Sequence, residues 1–191
     1  KYNKSLKNTR NDPRQNIGGG ASDIHHSYRD FDNVNFRPIN YVKLTSVYSE
    51  IFKEFFSKEI HTAKAKVNFE FKTVNYLAMT EGQWLPAHNH VSADFATVHY
   101  LNFKNDHVPT TIHNPTIFAP FVKYIQPELN NMLDMTSSDN SYFWELVDFS
   151  TEEDDMIIFP AALKHEISPQ GSTKEPRITI SSNINVVADT Q

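Results

Sequence analysis

The segment Gly82-Gln-Trp-Leu-Pro-Ala-His88-Asn-His90-Val-Ser-Ala-Asp94 carries two histidines separated by a single residue. If this segment forms a β-strand, both imidazoles point to the same face, because side chains alternate along a strand with a period of two. Two imidazoles on one face, close to a carboxylate, can chelate a transition metal ion. The spacing therefore predicts a metal site, with Asp94 as an alternative ligand or as a partner that orients a ligand.

A third histidine and an arginine, both far along the chain, extend this pattern. His165 follows His90 by 75 residues, and Arg177 follows His165 by 12 residues. If the strands that carry the histidines are neighbours, three imidazoles form one site that leaves coordination positions open, as catalysis requires. An arginine that faces a β-barrel interior must find an anion, and its planar guanidinium suits a carboxylate. Thr179 faces the same side of the strand and can add a hydrogen bond.

The composition limits the class of protein. The chain has 191 residues and a net charge of −5, enough length for one domain with a sizeable core. It has no long basic run and no apolar stretch of bilayer length, so we expect neither nucleic acid nor a membrane as a partner. The absence of cysteine excludes thiolate ligands and is consistent with a cytoplasmic location. Any metal must therefore be bound by imidazole and carboxylate.

The chain divides into a polar arm, a helix and a series of strands. Residues 1–40 predict an irregular N-terminal arm, and residues 41–191 predict a single domain with a β-core at about 65–187. Apolar residues recur at helical spacing from 41 to about 61, which predicts a helix that packs on a sheet. Short strands separated by loops then indicate a mainly β sandwich or barrel. The predicted strands are 67–79, 95–103, 110–113, 142–149, 156–159, 166–168 and 178–187, with a short helix within 120–135.

Four short motifs occur in a fixed order along the predicted β-core: Pro86-Ala-His88-Asn-His90, Val98-His-Tyr100-Leu-Asn102, Asp155-Met-Ile-Ile-Phe159-Pro160 with His165, and Arg177-Ile-Thr179-Ile with Asn183. Together they resemble the iron(II)- and 2-oxoglutarate-dependent oxygenases, in particular a branch related to the prolyl hydroxylases, of phage and marine bacterial type. The resemblance covers about residues 65–187. It implies a double-stranded β-helix, the jelly-roll barrel that is shared with the cupins, with a flanking N-terminal helix.

The resemblance also implies which residues bind the metal. His88 and His165 match the two histidine ligands of iron(II) in that family. His90 stands where most members have aspartate or glutamate as the third ligand, which is the main departure of this chain. A third neutral ligand leaves the iron more positive than two histidines and one carboxylate would.

The remaining matched residues imply a co-substrate site and a reaction. Arg177 matches the residue that binds the distal carboxylate of 2-oxoglutarate, and Thr179 and Tyr100 match positions that assist it. By resemblance, the enzyme uses O2, converts 2-oxoglutarate to succinate and hydroxylates a prolyl residue of a peptide or a small metabolite.

Two other functions are compatible with the same residues. Gly82-x5-His88-x-His90-x3-Asp94 and Pro160-x-Ala162-x2-His165 also approximate the two cupin motifs, which would give a metal enzyme that does not use 2-oxoglutarate. That alternative assigns no role to Arg177. The second alternative is a β-barrel binding module with a degenerate metal site, which the replacement of a carboxylate by His90 would favour.

Overall fold

The computed structural model describes residues 25–26, 40–60, 67–116 and 118–188. The irregular arm predicted at residues 1–40 lies outside these ranges, except for Asn40 and the two-residue strand β1 (His25–His26). No helix within the described ranges is long and apolar enough to cross a membrane.

Two antiparallel sheets dominate the described residues. In spatial order, the larger sheet consists of β1, β2 (Val67–Met79), β9 (Arg177–Ala188), β4 (Phe95–Asn102) and β7 (Met156–Pro160). The smaller sheet consists of β3 (Leu85–His88), β8 (His165–Ile167), β5 (Thr111–His113) and β6 (Leu146–Asp148).

The connections between the two sheets are those of a jelly roll. From β2 onwards, the chain crosses from one sheet to the other after every strand except β5, which pairs with β6. Strands that are distant in sequence therefore become neighbours, as when β9 lies between β2 and β4. Two sheets related in this way form a double-stranded β-helix. The prediction of a mainly β, jelly-roll fold with an N-terminal helix is confirmed.

Helix α1 (Tyr41–Glu59) packs against the outer face of the larger sheet. It begins at Asn40, whose side-chain oxygen accepts a hydrogen bond from the backbone N–H of Lys43, a standard N-cap. Its buried side chains meet apolar residues of β2, β4 and β9, so the aromatic stripe forms core, as the spacing predicts. These buried helix residues are Tyr48, Phe52 and Phe56.

Strand β9 separates this helix core from the barrel interior. Ile180 and Ile184 pack on the α1 side of the sheet. Because side chains alternate along a strand, Arg177, Thr179 and Asn183 face the opposite side, towards the smaller sheet. The residues that the sequence marks for chemistry are therefore on the interior face.

The segment between β5 and β6 differs in part from its prediction. The predicted short helix within 120–135 is two helices, α2 (Phe118–Ile125) and α3 (Pro127–Met132). The strand predicted at 142–149 is wrong in its first half, because a 3-10 helix, Ser138–Phe143, occupies it. The Ser137 hydroxyl accepts the backbone N–H of Asp139 and so caps this helix at its start.

Candidate functional site

Three histidine side chains converge where β3 meets β8. His88 ends β3 and is the register partner of His165, which begins β8, and His90 lies two residues beyond β3. The ring centroids are 4.3 Å apart for His88 and His165, and 5.0 Å and 5.1 Å from His90 to these two rings. One nitrogen of each ring lies within 4.8 Å of the others. Nitrogens bound to one tetrahedral or octahedral ion at bond lengths of about 2.1 Å are about 3.0–3.4 Å apart as neighbours, so the three rings would draw together to complete a ligand set.

The expectation that both histidines of the pair lie on a strand is wrong for His90. Strand β3 ends at His88, and the backbone N–H of His90 bonds to the carbonyl of Ala161, 2.8 Å away. The carbonyl of His90 then accepts the N–H of Ala93, at 3.1 Å, which forms a turn. The two imidazoles lie close together because the chain turns after His88. The alternation of side chains along a strand does not explain their proximity.

Backbone carbonyls set the tautomer of two of the three rings. Nδ1 of His88 is 2.8 Å from the carbonyl oxygen of Pro86, and Nδ1 of His165 is 2.9 Å from that of Leu163. A carbonyl can only accept, so Nδ1 must carry the proton in both rings. Nε2 of each ring is then left with its lone pair, the form that binds a metal ion.

The environment favours the neutral imidazole of His90 and of His165. Burial, with smaller contributions from the neighbouring His88 and His90, lowers the pKa of His165 to about 4. Burial also lowers the pKa of His90, with a smaller contribution from His88. Because only the neutral ring can bind a metal, these two residues can do so at neutral pH without first releasing a proton.

Arg177, the first residue of β9, is fully buried without a counter-ion. Its exposed fraction is 0%, and no carboxylate of the described residues forms an ion pair with it. One terminal nitrogen donates to the Thr110 hydroxyl at 3.0 Å, another lies 3.9 Å from the Met79 sulfur, and Nε has no partner. Burial lowers the pKa of this guanidinium. A buried guanidinium without a paired carboxylate is costly, and a bound anion would compensate its charge.

Tyr100 and Thr110 lie beside this guanidinium. The Tyr100 ring centroid is 5.1 Å from the central carbon of Arg177. The Tyr100 hydroxyl accepts the backbone N–H of Thr110 at 3.0 Å, which leaves its own proton available to a ligand. Thr179, 2% exposed, is the register partner of Tyr100. Sequence spacing did not single out Thr110, because a loop brings it to Arg177.

Asp94 lies outside the histidine group. Its carboxylate accepts the backbone N–H of Val186 at 2.8 Å, and its own backbone bonds to Ile184 and Ala161. The cluster of possible metal ligands in the described residues contains His88, His90 and His165 without it. The structure therefore places Asp94 where it joins β9 to the turn after β3.

The other histidines of the described barrel have partners away from this cluster. Nδ1 of His99 is 2.8 Å from the Tyr48 hydroxyl, on the α1 side of the larger sheet. His107 is buried between the backbone N–H of Lys104 and the carbonyl of Glu175. Nε2 of His113 is 3.1 Å from a carboxylate oxygen of Glu166.

Comparison with known proteins gives both structural and family matches. A search of curated protein sequences found no match. The chain aligns with a 2OG-Fe(II) oxygenase family oxidoreductase from Burkholderia pseudomallei at 11% identity and a TM-score of 0.47, over 72% of this chain. It spans 50% of the length of that protein.

Two further solved structures are similar. HygX from Streptomyces hygroscopicus, solved with nickel and 2-oxoglutarate, matches at 14% identity and a TM-score of 0.42, over 83% of this chain and 74% of that one. A cupin from Desulfovibrio desulfuricans matches at 8% identity and a TM-score of 0.31, over 66% and 92% of the two chains.

A family model with the description "Putative 2OG-Fe(II) oxygenase" matches residues 74–183. This span is 110 of the 191 residues, and it contains all three clustered histidines together with Tyr100, Arg177 and Thr179. The chain belongs to this family of 2OG-Fe(II) oxygenases.

Proposed function

We propose that the protein is an iron(II)- and 2-oxoglutarate-dependent dioxygenase. It hydroxylates a small molecule or a peptide and converts 2-oxoglutarate to succinate and carbon dioxide. The observation that carries this proposal is the presence of two complementary features in one barrel: three imidazoles that converge, and a buried guanidinium that has no carboxylate partner among the described residues. The family match supports the same class of reaction.

The residues at the cluster fit a divalent metal ion with open coordination positions. His88, His90 and His165 would hold iron(II) through one nitrogen each, and three ligands leave room for co-substrate and O2. When bound, iron(II) supplies the redox chemistry of oxygen activation. The ligand set is neutral, so the charge of the ion is compensated by an anionic co-substrate and not by the protein.

Arg177 supplies the complementary part of the co-substrate site. Its guanidinium can bind one carboxylate with two parallel hydrogen bonds, and its unpaired Nε leaves that capacity unused in the free protein. The Tyr100 hydroxyl proton can donate to the same carboxylate. A dicarboxylate such as 2-oxoglutarate can bind Arg177 at one end and face the histidines at the other.

Apolar residues around the cluster exclude water from the site. Phe159 lies edge-on to His165, with ring centroids 4.9 Å apart. Ala96, Val98 and Ala161 belong to the same buried cluster as Phe159 and Tyr100. Exclusion of water strengthens the interaction of the guanidinium with a carboxylate, because the local dielectric constant is low.

Succinate formation from 2-oxoglutarate tests this proposal without knowledge of the primary substrate. The protein, loaded with iron(II) in air, should form succinate slowly on its own. We expect His165→Ala to abolish this turnover, and Arg177→Ala to reduce it more than tenfold at low 2-oxoglutarate concentration. Lys164→Ala is the matched control, because Lys164 is exposed and adjacent to His165. Full turnover in His165→Ala would contradict the assigned ligands.

Binding of iron(II) and of 2-oxoglutarate to the same variants separates the two alternatives. A cupin-type metal enzyme would bind iron(II) equally well in Arg177→Ala and would not respond to 2-oxoglutarate. A binding module with a degenerate site would bind neither the metal nor 2-oxoglutarate.

A further inference from the structure

His90 differs from the other two clustered histidines in what fixes its ring. Backbone carbonyls two residues upstream hold Nδ1 of His88 and Nδ1 of His165. Nδ1 of His90 instead lies 3.4 Å from the side-chain amide nitrogen of Asn183. Within the described chain, this amide is the one hydrogen-bonding group found on the His90 ring.

Asn183 reaches His90 from a rigid position. It lies within β9, where it is the register partner of Thr73 on β2 and of Ala96 on β4. A residue paired on both sides in a sheet has little backbone freedom. By contrast, His90 lies in a turn after β3, and no backbone carbonyl of the described residues is bonded to its ring as that of Leu163 is to His165.

The chemistry of the amide determines what it can do for a metal ligand. If His90 binds a metal through Nε2, its Nδ1 carries a proton that needs an acceptor. A rotation of the Asn183 amide by 180° exchanges its nitrogen and oxygen in place, and then Oδ1 accepts that proton. In the metal-free protein the amide nitrogen can donate to an unprotonated Nδ1, so the one side chain serves both tautomers.

We propose that Asn183 is the positioning residue for His90: it orients the third ligand and, with its Oδ1 turned towards Nδ1, accepts the proton of the tautomer that binds metal through Nε2. This inference rests on the proposed function, because it assumes that the cluster binds a metal ion. It assigns to a side chain on β9 the role that the carbonyls of Pro86 and Leu163 have for the other two ligands.

Metal affinity of three variants tests the proposal, with Co(II) and Zn(II) as probes. Asn183→Leu keeps the size of the side chain and removes the acceptor, and we expect about 10- to 100-fold weaker Co(II) binding. Asn183→Asp restores an acceptor and should bind Co(II) at least as tightly as the wild type. Ser182→Ala is the control, since Ser182 is adjacent on the other face of β9 and its buried hydroxyl has no partner.

Nitrogen NMR of histidine-labelled, Zn(II)-loaded protein supplies a readout that a general loss of stability would not change. We expect a slowly exchanging Nδ1 proton on His90 in the wild type and in Asn183→Asp, and its loss in Asn183→Leu. Unchanged Co(II) affinity in Asn183→Leu, or equally weak binding in Asn183→Asp, would overturn the inference while leaving the function intact. Failure of the wild type to bind Co(II) would instead remove the proposed function itself.

Discussion

Arg177 has a buried charge that no carboxylate in the described part of the chain compensates, and this predicts a measurable effect on stability. Arg177→Met replaces the guanidinium with an apolar side chain in the same interior. We expect the ligand-free variant to be more stable by about 1–3 kcal/mol, because an unpaired buried charge is removed. The same variant should bind 2-oxoglutarate at least about 30-fold more weakly, since a loss of about 2 kcal/mol is expected for one charged partner. Urea unfolding and equilibrium binding to the metal-loaded protein measure the two effects.

Lys104→Met is the control for this prediction. Lys104 is about half exposed and pairs with Glu153 at the surface, so its replacement should change stability by less than about 0.5 kcal/mol. A clear loss of stability in Arg177→Met would show that the guanidinium has a structural role. It would then count against the proposal that Arg177 serves to bind a ligand.

At the scale of residues, the sequence predicts the site only where spacing and residue type carry the signal. Three residues of the site could be recognised from the sequence: His88, His165 and Arg177. Their motifs follow one another in an order that predicts which strands become neighbours, and the strand pairing agrees for His88 and His165. Thr110 gave no signal of a role, and Asn183 belongs to a matched motif without a predicted role, because their contacts arise from a loop and from a register between strands. The orientation of His90 was also beyond the sequence, since it depends on a turn that the carbonyl of Ala161 holds.

Helix α1 stabilises the larger sheet from the side opposite the site. Phe52 is 0% exposed, and its ring packs with Phe69, Phe71 and Phe95 at centroid distances of 5.4 Å, 6.3 Å and 6.4 Å. We expect Phe52→Ala to lower the free energy of unfolding by about 3–5 kcal/mol, through lost burial and the cavity that remains. Chemical denaturation of the metal-free protein measures this change.

Val42→Ala on the same helix is the matched control, because Val42 is 82% exposed. Its effect should remain within about 0.5 kcal/mol. Equal effects of the two substitutions would show that α1 is not anchored through its aromatic stripe.

At the scale of elements, periodicity predicts the long segments and fails at short ones. The helix predicted from 41 to about 61 is found as Tyr41–Glu59, and the strand predicted at 67–79 is found as Val67–Met79. Residues 142 and 143 have aromatic side chains that favour a strand, yet they belong to a 3-10 helix capped by Ser137. In so short a segment, the local capping interaction outweighs the β propensity of two aromatic residues.

In the whole molecule, the candidate site is formed by strands that are far apart in sequence. The jelly roll places β3 beside β8 and β9 between β2 and β4, so that histidines, Tyr100 and Arg177 share one interior. The family match covers residues 74–183, which excludes α1 and includes every residue proposed to contact metal or co-substrate. The division into an arm at 1–40 and a single domain at 41–191 remains a prediction.

Anaerobic titration of the metal-free protein with iron(II), followed by 2-oxoglutarate, tests the proposed function most directly. We predict a visible charge-transfer band that requires both components, saturates at one iron per chain and is absent in His165→Ala. In Arg177→Met the band should appear only at much higher 2-oxoglutarate concentration, because iron binding is retained and carboxylate binding is lost. Absence of the band in the wild type, or an unchanged response to 2-oxoglutarate in Arg177→Met, would contradict the account.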